Sequence, residues 1–139
     1  REGMRLGFDL RARPVVRLLR AIEGPEGGFG KGAEVDAFLP QALREGDTRS
    51  REDVYLDWIE ERLAGAARLE RKATRLVAFR RTRVQRGGRR IDGPDAVFHG
   101  TLTIEDPENF AQLLARGVGR HRAYGYGMLL LRPPQRQSG

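Results

Sequence analysis

The chain has 139 residues, a formal net charge of +7, a pI near 10.9 and no cysteine. That length suits one domain with one core, no apolar run approaches the roughly 20 residues of a membrane-spanning helix, and the lack of cysteine is compatible with a reducing cytoplasm, the setting expected here. Without cysteine there is no disulfide framework, thiolate nucleophile or thiolate metal site. Nearly all the positive charge is arginine, which forks phosphate oxygens and stacks on bases, so the excess suggests nucleic acid. A genome that writes arginine for lysine would give the same composition, so the distribution of charge has to decide.

The chain runs almost at once into alternating apolar positions, Met4, Leu6, Phe8 and Leu10, which predict a strand closed by Pro14. So abrupt a beginning leads us to expect a segment of a longer protein. Residues 15–22 fit either a short helix or an extended exit, and the glycines of 23–32 predict a flexible loop. Ser50 is placed to cap a helix whose apolar face is Val54, Tyr55, Trp58, Ile59 and Leu63, ending near Gly65. Residues 73–86 are rich in strand formers. Gly87–Gly88 and Asp92–Asp95 compete as the hairpin turn after them. Residues 96–104 predict a strand with Phe98, Leu102 and Ile104 on one face. Asp106 then caps a helix with Pro107 in its first turn, Phe110, Leu113 and Leu114 as its buried stripe, and Gly117 at its end. A last strand is expected from Tyr124 to Leu131, ended by Pro133.

The order strand, helix, strand, strand, helix, strand predicts an α+β, ferredoxin-like βαββαβ domain over residues 1–132, with a polar tail at 133–139. In such a fold both helices cover one face of an antiparallel sheet. The other face is available for a ligand, as in RNA-recognition domains.

Positive charge is clustered in two places. From Arg71 to Arg90 there is no acidic residue, and Arg80, Arg81, Arg83, Arg86, Arg89 and Arg90 fall on a hairpin that is basic on both sides. Such a hairpin is either a solvated edge protected by its charge or a polyanion contact, and the single sign of its charge favours the second. The other cluster fills a glycine loop: Gly117, Gly119, Arg120, His121, Arg122, Gly125 and Gly127. A dinucleotide fingerprint must follow a strand and open a helix, and here the order is reversed. Glycines between arginines instead suit a backbone that approaches a phosphate ligand closely. For Gly117 alone a helix cap is sufficient explanation. Tyr124 and Tyr126 suit base stacking or packing equally. His99 and His121 have no neighbours at metal-ligand spacing, so neither a metal nor another cofactor is expected.

The segment from Phe98 to Pro133, with its strand "FHGTLTIED" and loop "GVGRHRAYGYG", resembles the CasE-type CRISPR repeat-RNA endoribonucleases of type I-E systems, members of the RAMP superfamily. "FDLRARPVV" and "YLDWIEERLAGAARL" match in the same order, so the resemblance spans nearly the whole chain. It implies the second of two ferredoxin-like domains, the first being an N-terminal domain of the same protein. It implies binding of a CRISPR repeat hairpin, metal-independent cleavage at the 3′ base of that hairpin, and retention of the crRNA 3′ end alongside other Cascade subunits in antiviral defence. The family's catalytic histidine belongs to the first domain, so no catalytic residue is carried over to this segment. What carries over is RNA binding by the glycine loop, with Arg122 at its basic position. Glu34 and Asp36 stand where relatives are often basic, which puts a phosphate role for that stretch in doubt. The alternatives are a non-catalytic RNA-binding subunit of a ribonucleoprotein and a small ferredoxin-like enzyme acting on an acidic metabolite through His121 and Arg122.

Overall fold

The computed structural model describes residues 2–18, 22–24, 27–29, 34–42, 48–86, 89–119 and 125–133. Strand β1 (Arg5–Ala12) carries out the predicted alternation: Phe8, Leu10 and Ala12 are buried on one face, while Asp9 and Arg11 lie on the other. Of the two options for residues 15–22, the extended one is realised in β2 (Val15–Arg17), which pairs antiparallel with β5 (Glu34–Asp36). The expected flexible loop holds a second short ladder, β3 (Ile22–Gly24) against β4 (Gly27–Phe29). Strands of three residues are too short to show a period, and the glycines that suggested a loop equally suit the ends of a hairpin.

Helix α1 (Phe38–Ala42), unseen in the sequence, starts where Asp36 Oδ1 accepts the Phe38 N–H at 2.9 Å. Helix α2 (Arg51–Leu63) begins as expected, with Ser50 Oγ accepting the Asp53 N–H at 3.1 Å. Its face of Val54, Tyr55, Trp58, Ile59 and Leu63 is buried, joined by Leu56. Arg51 Nη1 reaches Asp36 at 2.6 Å and the Tyr55 hydroxyl at 2.7 Å, and that hydroxyl donates to Asp36 at 2.7 Å. Asp36 is thus a buried strut between β5 and α2, which accounts for an acidic residue at that position. Burial and the adjacent carboxylate push the Tyr55 hydroxyl well above its ordinary pKa.

The long edge of the sheet is interrupted. After β6 (Ala67–Leu69) the chain makes a 3₁₀ turn at Arg71–Ala73 and resumes as β7 (Arg75–Arg86). Both segments pair with the same flank of β8 (Arg89–Ile104), β6 opposite Leu102–Ile104 and β7 opposite Arg89–His99. At the detour Thr74 is fully buried against Gly100, where any Cβ would overlap the threonine side chain. Arg71 ties the turn to α2 through Asp57 at 2.7 Å and through Glu60. That arginine belongs to a surface ion-pair network and leaves the basic run it seemed to begin.

Helix α3 (Pro107–Arg116) has Asp106 accepting the N–H groups of Glu108 and Asn109, and Gly117 at φ +86° where it stops. Strand β9 (Leu129–Arg132) is shorter than expected. Tyr124 lies outside the described residues, and Gly125 and Gly127 have φ near +90°, a backbone incompatible with a ladder. The principal sheet runs β6–β8–β1–β9, antiparallel throughout, with β7 continuing beside β8. This is the ferredoxin-like α+β arrangement. Phe8, Leu10, Phe98 and Leu102 meet Tyr55, Ile59, Phe110 and Leu113 in one cluster, so α2 and α3 cover the same face. Each such aliphatic or aromatic side chain contributes about 1.5–3 kcal/mol by leaving water. No helix among the described residues is long and apolar enough to cross a membrane.

Candidate nucleic-acid interface

The face opposite the helices is built by strand alternation. Arg5, Asp9 and Arg11 of β1 stand beside Thr103, His99 and Val97 of β8, with Leu130 and Arg132 of β9 on the same side. Asp9 accepts from Arg132 Nε at 3.2 Å and lies 3.6 Å from His99 Nε2, with the histidine half exposed. Among the described residues no group of three or more His, Cys, Asp or Glu is placed to hold a metal ion.

Beyond Ala96, β8 has lost β1 as a partner and pairs with β7 alone, making a two-stranded ribbon. The register Arg86↔Arg89 excludes Asp92–Asp95 as the turn between the strands, since 92–95 pair within the ladder. The competing turn, Gly87–Gly88, lies outside the described residues. A bulge between Leu76 and Ala78 shifts the alternation, leaving Arg80 opposite Asp95 and Arg81 opposite Pro94. Arg80 is 73% exposed and sits 3.5 Å from Asp95. Arg81 is also exposed. Arg83, Arg86, Arg89 and Arg90 take their places along the ribbon backbone, and their side chains lie outside the described residues.

Asp95 is 3% exposed and is gripped bidentately by Arg11, Nε at 2.9 Å and Nη2 at 2.6 Å. Burial alone would raise its pKa, but the hydrogen bonds and charge of Arg11, with Arg80 behind it, hold the carboxyl below its ordinary range. Next to this pair stands Tyr126, 1% exposed, with the Arg11 and Arg13 guanidinium carbons 5.1 and 5.2 Å from its ring centroid. Tyr126 is therefore a packing residue at the root of the ribbon, not an exposed stacking platform. Arg11, Arg13, Asp95 and the buried placement of Tyr126 escaped the sequence reading. Strand alternation could have set Arg11 and Arg13 on one face, but only the tertiary structure shows that Arg13 is covered.

The glycine segment turns back on the sheet. The Val118 N–H donates to the Gly127 carbonyl at 2.7 Å, and the Gly127 N–H to the Arg11 carbonyl at 2.8 Å. Gly117, Gly119, Gly125 and Gly127 all have positive φ, between +83° and +90°. Their surroundings differ. Gly117 caps α3, with its N–H on the Leu113 carbonyl at 2.7 Å. A Cβ on Gly119 would come 2.7 Å from the Trp58 ring, and one on Gly127 would come 2.7 Å from the Val118 carbonyl oxygen. At Gly125 nothing lies within 4 Å. Close packing inside the protein thus explains Gly119 and Gly127, while Gly125 presents bare backbone to open space. Arg120, His121 and Arg122 lie outside the described residues. Gly117 and Gly119 also border a cavity of about 320 Å³ with Trp58, Arg62 and Arg116. The Trp58 indole N–H is anchored there to the Val15 carbonyl at 3.0 Å, and the Arg62 guanidinium sits 5.1 Å from its ring.

Fold and site together define a ferredoxin-like domain with a glycine turn ahead of its last strand and an arginine-bearing ribbon beside it. The family described as CRISPR associated protein matches residues 1–133, and the chain belongs to that family. It is 32% identical over 133 residues to the CRISPR-associated endoribonuclease Cse3 of Thermus thermophilus, across 96% of this chain and 58% of that protein. Thermus thermophilus Cse3 bound to an RNA representing a pre-cleavage complex superposes with a TM-score of 0.65 at 29% identity, over 96% of this chain and 55% of that one. The CRISPR-associated protein Cas6e from Escherichia coli K-12 gives 0.64 at 25% identity, over 96% and 62%. The chain therefore spans little more than half the length of the relatives it matches.

Proposed function

We propose that this chain is the C-terminal, RNA-binding half of a metal-independent CRISPR repeat-RNA endoribonuclease, with residues 1–132 as its domain and an N-terminal ferredoxin-like domain as its partner. It acts in the cytoplasm, holds the repeat hairpin, and keeps the crRNA 3′ end among the other subunits of a Cascade complex. The observation that carries this reading is the 3.2 Å contact between the Thr82 and Tyr126 hydroxyls. It joins the root of the arginine ribbon to the glycine turn at Tyr126, so that two elements far apart in sequence meet. A protein using either element only as a connector has no need to lock them together. The named relatives, an endoribonuclease and its RNA-bound form, favour RNA as the polyanion.

The residues of this chain bind and orient. Arg80, Arg81, Arg83, Arg86, Arg89 and Arg90 neutralise phosphates along the ribbon, and the glycine segment with Arg120, His121 and Arg122 binds the RNA strand as well. In the cleavage step the ribose 2′-oxygen attacks the adjacent phosphorus as its proton is removed. The 5′-oxygen leaves with a proton, and a 2′,3′-cyclic phosphate remains. The proton carriers are supplied from outside this chain. Incubating the full-length protein with a repeat hairpin RNA in excess chelator tests the reading: tight binding and a cyclic-phosphate product are expected. Cleavage that requires a divalent ion, or binding no tighter than that of unstructured RNA, would overturn it.

A further inference from the structure

Three arginines outside the ribbon and the glycine segment line the cavity of about 320 Å³ between β2, α2 and α3. Its floor is apolar, from Val15, Val16, Leu113 and Trp58, and its volume lies in the range of small-ligand pockets. Arg62 reaches it from the last turn of α2 and Arg116 from the last turn of α3, while Arg17 of β2 faces Glu34 of β5. A cation near a helix C-terminus is favourable in itself, which accounts for Arg62 or Arg116 alone. It gives no reason for three to line one cavity. Arg116 is exposed and makes no ion pair among the described residues. Arg62 pairs with Glu61 at 3.7 Å, and Glu61 is 74% exposed, so that bond is weak. The Arg62 guanidinium lies instead against Trp58, 5.1 Å from the ring centre. That indole is fixed, its N–H held by the Val15 carbonyl and its six-membered ring against Gly119. A flat cation braced by a fixed ring is a ready surface for a base to stack on.

We propose that this cavity is a nucleotide pocket. It takes one nucleoside monophosphate unit, with the base stacked on Arg62 over the apolar floor and the phosphate held by Arg116 and Arg17. The proposal rests on the RNA-binding function above, and the unit is an unpaired nucleotide beside the repeat stem. A paired base is locked in its helix, whereas an unpaired one can be splayed out into a pocket. Gly117 and Gly119 line the same cavity, which places it where the glycine segment assigned to RNA begins. Guanidinium groups fork phosphate oxygens with two parallel donors. Glu34, ill suited to a phosphate, suits the base. A carboxylate accepts from an amino group and repels a carbonyl oxygen, so cytosine, adenine or guanine is favoured here over uracil.

The test compares the full-length wild type with the double variant Arg62→Ala, Arg116→Ala. The probes are a repeat hairpin RNA with unpaired nucleotides on both sides of its stem, the same RNA trimmed to the stem-loop, and adenosine monophosphate alone. Wild type should bind the flanked RNA about tenfold or more tightly than the trimmed one, a stacked base's share. The double variant should lose that advantage and bind the trimmed RNA as wild type does. With the flanked RNA its slope of log K against log salt should flatten by roughly 0.7, one single-strand phosphate. Uracil at the flanking positions should weaken binding to wild type, and Glu34→Gln should remove that penalty. Should the double variant fail to fold, Arg116→Ala alone carries the same comparison, since its side chain is exposed. Equal losses on flanked and trimmed RNA would make the arginines general phosphate contacts and overturn the pocket. A melting-temperature rise with adenosine monophosphate in wild type but not in the variant, without any advantage for flanked RNA, would overturn the RNA source and assign the pocket to a free nucleotide. If wild type binds neither RNA, the proposed function itself fails. If it binds both equally and the mononucleotide has no effect, only the pocket is misassigned.

Discussion

The Tyr126 hydroxyl lies 3.2 Å from the Thr82 hydroxyl, a contact between residues 44 positions apart. It ties the glycine turn to the ribbon side chain to side chain, with the ring itself fixed by burial. Tyr126→Phe removes the bond and keeps the ring, so a stability loss of about 0.5–1.5 kcal/mol is expected. Tyr126→Ala also removes the packing and should cost roughly 3–5 kcal/mol, the range for a buried aromatic. Denaturant unfolding of the two variants separates these contributions.

The ribbon arginines should be read out by salt. Replacing Arg80, Arg81 and Arg83 together with alanine is expected to flatten the slope of log K against log salt by about 2, from roughly 0.7–0.9 per phosphate released. Arg80 is 73% exposed, and Arg11 already holds Asp95 bidentately, so little stability should be lost. RNA titrations at several salt concentrations, with melting temperatures beside them, decide the matter. An unchanged slope would make the ribbon a solvated edge.

Asp95 should govern acid stability. Its folded pKa is depressed below the ordinary carboxylate value, so its contribution is fully present above about pH 4, the unfolded pKa. That contribution is lost as pH falls through the lower folded value. Asp95→Asn should therefore lower the melting temperature at pH 7 and flatten the melting curve against pH between about 5 and 2. The cost at neutral pH should be roughly 2–3 kcal/mol, less than for a fully buried pair because Arg11 is about half in water.

The glycines should part company. Gly119→Val places a branched side chain at φ +83° against Trp58, and strain plus overpacking should cost about 3 kcal/mol or more. Gly125→Ala meets no atom within 4 Å and should cost only about 1–2 kcal/mol of backbone strain. Weaker RNA binding in Gly125→Ala, measured on fully folded protein, would report a role in the interface. In Gly119→Val the same loss would report unfolding first.

His99→Ala should leave the single-turnover cleavage rate of the full-length protein at saturating enzyme close to that of wild type. The histidine stands half exposed beside Asp9, whose carboxylate is shared with Arg132. Removing a general acid or base typically costs about 10²–10⁴-fold, so a drop of that size would place His99 in the reaction.

The parts of the fold legible in the sequence are those with a long period or a strong cap. β1 shows its face over four alternating positions, and α3 shows Asp106, Pro107 and Gly117 at its ends. The three-residue strands β3 and β4 and the five-residue α1 lack the length for any period to emerge. At the site, charge clustering and the glycine spacing were visible, since both are local. The fate of single residues was not. Nothing near Arg71 in the sequence says that Asp57 and Glu60 will engage it. The role of Gly119 depends on Trp58, a residue 61 positions earlier on another element. The sequence leaves stacking and packing equally open for Tyr126, and only the glycine turn folded over β1 shows it buried beside Arg13.

β8 is a single strand with two different surroundings. From Ala96 to Thr103 it is flanked by β1 over its whole length, while from Arg89 to Asp95 it has β7 alone. An isolated two-stranded hairpin is marginal in water, whereas a strand in the middle of a sheet opens only when the domain unfolds. One continuous backbone therefore spans two dynamic regimes, a fixed base and an arm able to open locally on its own. The boundary falls beside Asp95 and Tyr126. Those residues thus set where breathing of the arm stops, and the arm can adjust to the contour of a ligand without loosening the core that carries it.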